Sequence, residues 1–168
     1  MPNTYTLIQS VTVGSGGAAI IEFGSIPQTY ADLVLVSSLR STSTSNDLEM
    51  KLAFNGSTSN FTNKYLFGNA PAGTAASGSN AFYHGDVNGN GSTASVFTST
   101  SLYIPNYAGS SNKSYSVDNT MENNSVVSYP FFLSGLWSVT SAITSIAISN
   151  ASNFAQYSSA SLYGIKNS

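Results

Sequence analysis

The sequence predicts an all-β domain, an antiparallel sandwich or barrel, and three observations predict it. Apolar and polar residues alternate with a period of two through most of the chain, which sends one set to a buried face and leaves the other in water. Gly, Asn and Pro turns punctuate these runs at intervals that give roughly ten or eleven strands. No window of helical length carries a 3.6-residue period. The 168 residues read as one domain spanning 1–168 without an internal linker, a length that buries about two thirds of the unfolded surface.

Tyr5, Leu7, Val11 and Val13 share one parity, and after Gly14-Ser15-Gly16-Gly17 so do Ala19, Ile21 and Phe23. Two strands about a Gly turn read as a hairpin. Ile26-Pro27 is a turn, because Pro fixes its own φ and pushes Ile26 out of the helical region. The run Asp32 to Arg40 is apolar on both parities at its centre and reads as a central strand covered on both faces. Beyond the polar loop 41–47, Leu48, Met50, Leu52 and Phe54 alternate with Glu49, Lys51 and Ala53. That half-buried strand is expected to face the preceding run across the loop.

Asn55-Gly56 is a turn pair, and Lys64 to Phe67 a short strand. Residues 68–80 are small and polar and read as a mobile surface loop, since ordering them costs entropy that no packing offsets. Ala81 to His84 reads as a short strand ended by Gly85 to Gly91. Thr98, Thr100, Leu102 and Ile104 then alternate with serines and Tyr103 until Pro105 stops the ladder. After the turn Asn106-Tyr107-Ala108-Gly109, Tyr115, Val117, Asn119 and Met121 follow as the next strand of a meander. Phe131, Leu133, Gly135 and Trp137 share a parity, which places Trp137 in the core. Short strands at Ile146-Ile148 and Ala160–Ile165 complete the series. The expected core is Leu33, Leu35, Leu48, Met50, Leu52, Phe54, Phe131, Leu133 and Trp137.

Composition narrows function. Only 7% of residues are charged and the net charge is -2, so no basic patch is available for phosphates or an anionic bilayer, and neither nucleic acid nor membrane is an expected partner. No run approaches the ~18 apolar residues of a membrane span. Cysteine is absent, which removes disulfides, thiol catalysis and thiolate-bound zinc. Residues 1–6 carry neither a basic start nor an apolar stretch, so the chain is expected to be made in a cytoplasm without a signal peptide. Yet Ser, Thr and Asn supply more than a third of it, a surface chemistry suited to an extracellular β-protein. Release by lysis, as for a virion component, reconciles the two.

No catalytic constellation stands out. His84 is the one histidine, and G-x-S-x-G, H-E-x-x-H and G-x-x-x-x-G-K are all missing. A lone His beside a Gly turn reads as structural, and seven scattered acids define no glycosidase pair. Asp86-x-Asn88-x-Asn90-Gly91 matches the first half of a calcium loop, in which alternate oxygens converge on the ion. Phe97 stands where the bidentate acid belongs, so these three remain a weak metal candidate and a hairpin turn is the preferred reading. No cofactor is expected. Tyr30, Tyr65, Tyr83, Tyr103, Tyr107, Tyr129 and Tyr157 lie near strand ends or in loops, where flat rings beside Asn and Ser suit sugars or protein interfaces; most read as edge packing.

Three stretches, Gly24-Ser25-Ile26-Pro27-Gln28-Thr29-Tyr30-Ala31-Asp32-Leu33-Val34-Leu35, Leu102-Tyr103-Ile104-Pro105-Asn106-Tyr107 and Ser161-Leu162-Tyr163-Gly164-Ile165, resemble small virion structural proteins of tailed bacteriophages, marine and cyanobacterial ones in particular. The resemblance implies a jelly-roll-like antiparallel β-sandwich in the virion, as a head decoration (cement) protein or part of a tail appendage. It implies a homotrimer on the capsid, with the major capsid protein or other virion proteins as partners. The alternative is a tail-associated or free carbohydrate-binding module that touches the host surface, with a host-surface glycan as its partner. No functional residue motif carries over.

Overall fold

The computed structural model describes residues 4–69, 72–78, 83–124 and 128–166. Among these are twelve strands: β1 Tyr5–Thr12, β2 Ala18–Phe23, β3 Asp32–Leu39, β4 Asp47–Phe54, β5 Phe61–Asn69, β6 Ala72–Gly78, β7 Tyr83–Asn88, β8 Thr98–Pro105, β9 Lys113–Met121, β10 Tyr129–Trp137, β11 Ile146–Phe154 and β12 Ser159–Ile165. The strands pair antiparallel throughout, in an eight-stranded sheet ordered β1-β12-β3-β8-β9-β10-β5-β6 and a four-stranded sheet ordered β2-β11-β4-β7.

Inside this order sits a jelly roll. The strands β1-β12-β3-β8 and β2-β11-β4-β7 form its two four-stranded sheets. The other four strands are two insertions, β5-β6 between β4 and β7 and β9-β10 between β8 and β11, and they join each other through β10 and β5 to extend one sheet. Strict alternation drives this. β9 and β10 bury every second residue along their length, so each has one face for the core and one for solvent.

The insertion is anchored to the frame by rings. Phe54 of β4 meets Tyr115 and Trp137 edge-on at centroid distances of 5.8 and 5.5 Å, and Phe61 lies 5.3 Å from it. Such contacts contribute about 0.5–1.5 kcal/mol each beyond their buried area. Trp137 Nε1–H donates to the Ser59 carbonyl at 3.2 Å, so the buried indole leaves no orphan donor. Two cations are buried as clamps. Arg40 donates from Nη1 to the carbonyls of Thr93 (2.9 Å) and Val96 (2.8 Å) and from Nη2 to that of Ser92 (3.4 Å). Lys113 Nζ donates to the carbonyls of Gly109 (2.6 Å), Ser111 and Thr140 (3.3 Å).

The structure corrects several pairings expected from sequence. β1 and β2 are not a hairpin: they pair with β12 and β11 in opposite sheets, because in a jelly roll successive strands cross the core instead of folding back. For the same reason β3 and β4 do not face each other as a pair. β3 is central, between β12 and β8, but its outer face is open, with Val36 exposed. A strand, β6, occupies part of the expected loop 68–80, its backbone paired to β5; positions 70–71 and 79–80 lie outside the described residues. β7 runs through Gly85, Asp86 and Val87, where a turn was expected. β5 and β11 are each nine residues long and exceed their expected apolar segments. All nine expected core residues are buried except Leu48, which is half-buried. The meander β8-β9-β10 is as expected, and Asn55 and Gly56, at φ 51° and 71°, make the turn that both residues of a tight hairpin with positive φ require.

Candidate binding site

The large exposed apolar side chains are not scattered. Tyr5, Leu7, Val36, Tyr103, Leu66, Phe132 and Leu136 all belong to the outer face of the eight-stranded sheet, and only Ile20 and Tyr157 lie elsewhere among the described residues. They fall into two patches. One is at the β1 edge, where Leu7 stands in register with Tyr163 and Val34, and the Tyr5 and Tyr163 rings meet edge-on at 6.5 Å. The other is on the inserted strands, where Phe132 and Leu66 are cross-strand partners.

The second patch borders a depression of about 860 Å³ crossing β8, β9, β10, β5 and β6. Register fixes its layout as two rows. One runs Tyr103, Ser116, Ser134, Lys64, and the next runs Ser101, Asp118, Phe132, Leu66. The backbone of Val117 and Leu133 lines the floor, since those side chains point to the core. Small serines leave the middle low, and the larger Tyr103, Phe132, Leu66 and Lys64 make the relief.

Tyr103 is held in place. Its hydroxyl donates to Asp32 Oδ2 at 2.9 Å, while Asp32 Oδ1 accepts the Asn106 backbone N–H at 2.9 Å. The bond to the Asp32 carboxylate raises the Tyr103 pKa, with burial and the nearby negative charge adding to it, so the phenol stays a neutral donor. Among the described residues, by contrast, no hydrogen bond or ion pair engages Asp118, Lys64 or the hydroxyls of Ser101, Ser116 and Ser134. These groups face solvent ready to bind.

The residues singled out from sequence are placed differently. His84 is fully buried, and burial lowers its pKa from 6.5 to about 4; neither ring nitrogen has a partner among the described residues. Asp86 lies on β7 in register with Glu49 of β4. Asn88 is buried and its Oδ1 accepts from Asn123 Nδ2 at 2.6 Å, while Asn90 Nδ2 donates to the Thr42 carbonyl at 3.1 Å. The two asparagines serve separate contacts, and among the described residues no three His, Asp or Glu side chains gather where they could hold a metal ion.

Of the seven tyrosines, Tyr103 and Tyr157 are exposed, Tyr30, Tyr65 and Tyr129 half-buried, and Tyr107 fully buried with its hydroxyl donating to the Pro27 carbonyl; the Tyr83 side chain lies outside the described residues. Sequence reasoning passed over Phe132, Leu66, Asp118 and Lys64. The signal was Phe132 and Leu136 on the solvent parity of a strand whose other parity already carries Phe131, Leu133 and Trp137.

No protein-family model matches the chain, and no curated protein does.

Proposed function

We propose that this protein is a non-catalytic structural component of a bacteriophage virion, a decoration (cement) protein that sits on the outer head surface as a homo-oligomer, three copies being the arrangement put forward. The observation that carries the reading is the apolar patch on β1. Tyr5 and Leu7 are 55% and 53% exposed on a strand that, among the described residues, is paired on one side alone, and an edge with exposed apolar side chains is a template for another chain. Covering apolar area is worth about 25 cal/mol per Å², so a neighbouring copy seated there gains from both side chains. The low charge of the chain leaves little repulsion between copies. Weak contacts from each copy then add through multivalency on a lattice. The resemblance of three separated stretches to phage virion proteins supplies the setting.

Light scattering on the purified protein, followed by its addition to particles lacking it, tests the reading. A trimeric mass, saturable binding to the particles and loss of both in Leu7→Lys are expected. A monomer that neither binds particles nor occurs in the mature virion overturns it.

A further inference from the structure

The depression on the inserted strands differs in chemistry from the β1 patch. It holds one carboxylate, Asp118, and one ammonium, Lys64. They stand two strands and two residues apart, about 12 Å between Cα atoms at ordinary sheet spacings, so each is left to find a partner from outside. Ser116 and Ser134 lie between them with unengaged hydroxyls. Two aromatic side chains border this polar strip. Phe132 is 57% exposed, and Tyr103 is oriented by its bond to Asp32. The two are again offset by two strands and two residues, on the opposite diagonal to the charges.

We propose that this depression binds a neutral oligosaccharide, with sugar rings resting on Phe132 and Tyr103 and sugar hydroxyls bonded to Asp118, Lys64 and the serines between them. A pyranose has C–H groups on its faces and hydroxyls around its rim, and it needs flat apolar surfaces with donors and acceptors beside them. A carboxylate accepts hydrogen bonds from two hydroxyls and an ammonium donates to hydroxyl oxygens, in charge-assisted bonds stronger than neutral ones. The depression crosses five strands, a track of about 19 Å, which suits several linked rings.

Charge argues against other occupants. A nucleic acid needs several cations along its phosphates, and Lys64 is one. An acidic glycan would meet Asp118 as a like charge. A peptide that binds by adding a strand needs an open edge, and β8, β9, β10 and β5 are already paired on both sides. A second copy laid flat here would strip water from Asp118 and Lys64, at a cost unless both found partners.

The site stands apart from the virion reading, because the soluble chain alone suffices to test it. Titration calorimetry with maltohexaose, cellohexaose, mannohexaose and chitohexaose, and with hyaluronan oligomers as the anionic control, is the experiment. Binding of at least one neutral hexasaccharide is expected. Phe132→Ala and Asp118→Ala should each weaken it about tenfold or more, as loss of a stacking face or a charged hydrogen bond implies. Ile20→Ala, on the outer face of the other sheet, should leave binding unchanged. Melting temperatures confirm that the variants fold, which their solvent-facing positions favour. The proposal is overturned if no neutral hexasaccharide binds, if binding survives both groove variants in folded protein, or if the hyaluronan oligomers bind in preference. It is overturned equally if Phe132→Ala changes the solution mass and not sugar binding, which would make the depression an interface between copies.

Discussion

The ring of Tyr115 occupies the space that a side chain at Gly135, its cross-strand partner, would need: a methyl there would sit 2.0 Å from Tyr115 Cζ. The same ring meets Phe54 and Phe61, so it cannot swing aside without disturbing the cluster that ties the insertion to the frame. Gly135→Ala is therefore expected to destabilise by about 2 kcal/mol or more, the scale of overpacking in a filled core. Tyr115→Phe should be neutral or stabilising, since it removes a buried hydroxyl that has no partner among the described residues. Denaturant titration of both variants measures the two signs.

His84 gives a pH dependence of known direction. Unfolded, its imidazole takes a proton near 6.5, whereas the buried ring takes one only near pH 4. The unfolded state thus binds more protons between these values, and stability falls as pH is lowered through that window and levels off below it. The loss approaches about 3 kcal/mol. His84→Leu should flatten the upper part of the profile, where carboxylates do not titrate, as melting curves from pH 7 to 5 will show.

The buried cations are clamps rather than interchangeable charges. Lys113→Met leaves three carbonyls without their donor and is expected to cost about 2–4 kcal/mol, given about 1.5–3 for a hydrogen bond to a charged group. Arg40→Lys keeps the charge but loses the planar fork that spans Ser92, Thr93 and Val96. It should speed proteolysis within 92–96 with a smaller loss of global stability.

Calcium should do little. With Asn88 and Asn90 committed to Asn123 and Thr42, about 5 mM Ca²⁺ is expected to leave the melting temperature within about 1 °C of that in chelator, since a ligand stabilises only when it exceeds its dissociation constant. A rise that Asp86→Ala abolishes would show a site.

Strands were legible where a parity rule operates locally: β8, β9 and β10 show it in almost every residue, and Trp137 follows from it. Partners were not legible. The Gly turn after Val13 looks like a hairpin turn, yet Val13 N–H donates to the Ser158 carbonyl and Tyr157 N–H to that of Val13, making a corner between sheets. Whether a short connection folds back or crosses depends on which remote strand completes each sheet, and period-two patterns are alike in both cases. The binding face escaped for a related reason. Asp118, Phe132 and Lys64 come from three strands and become neighbours only through the β9-β10-β5 register. Local hints existed only for Tyr103, near a strand end, and for Phe132, an aromatic on the solvent parity of its strand.

The placement of β12 between β1 and β3 sets an order of events. Tyr5 pairs with Ile165, so β1 waits for a strand made much later. At about 5–20 residues per second, β1 leaves the ribosome on the order of ten seconds or more before its partner exists, with Tyr5 and Leu7 uncovered throughout. Such long-range closure makes for slow folding. Nascent chains close together on one messenger carry this uncovered strand at the same time, so the yield of folded protein is expected to rise when synthesis is slowed in its initiation and not in its elongation.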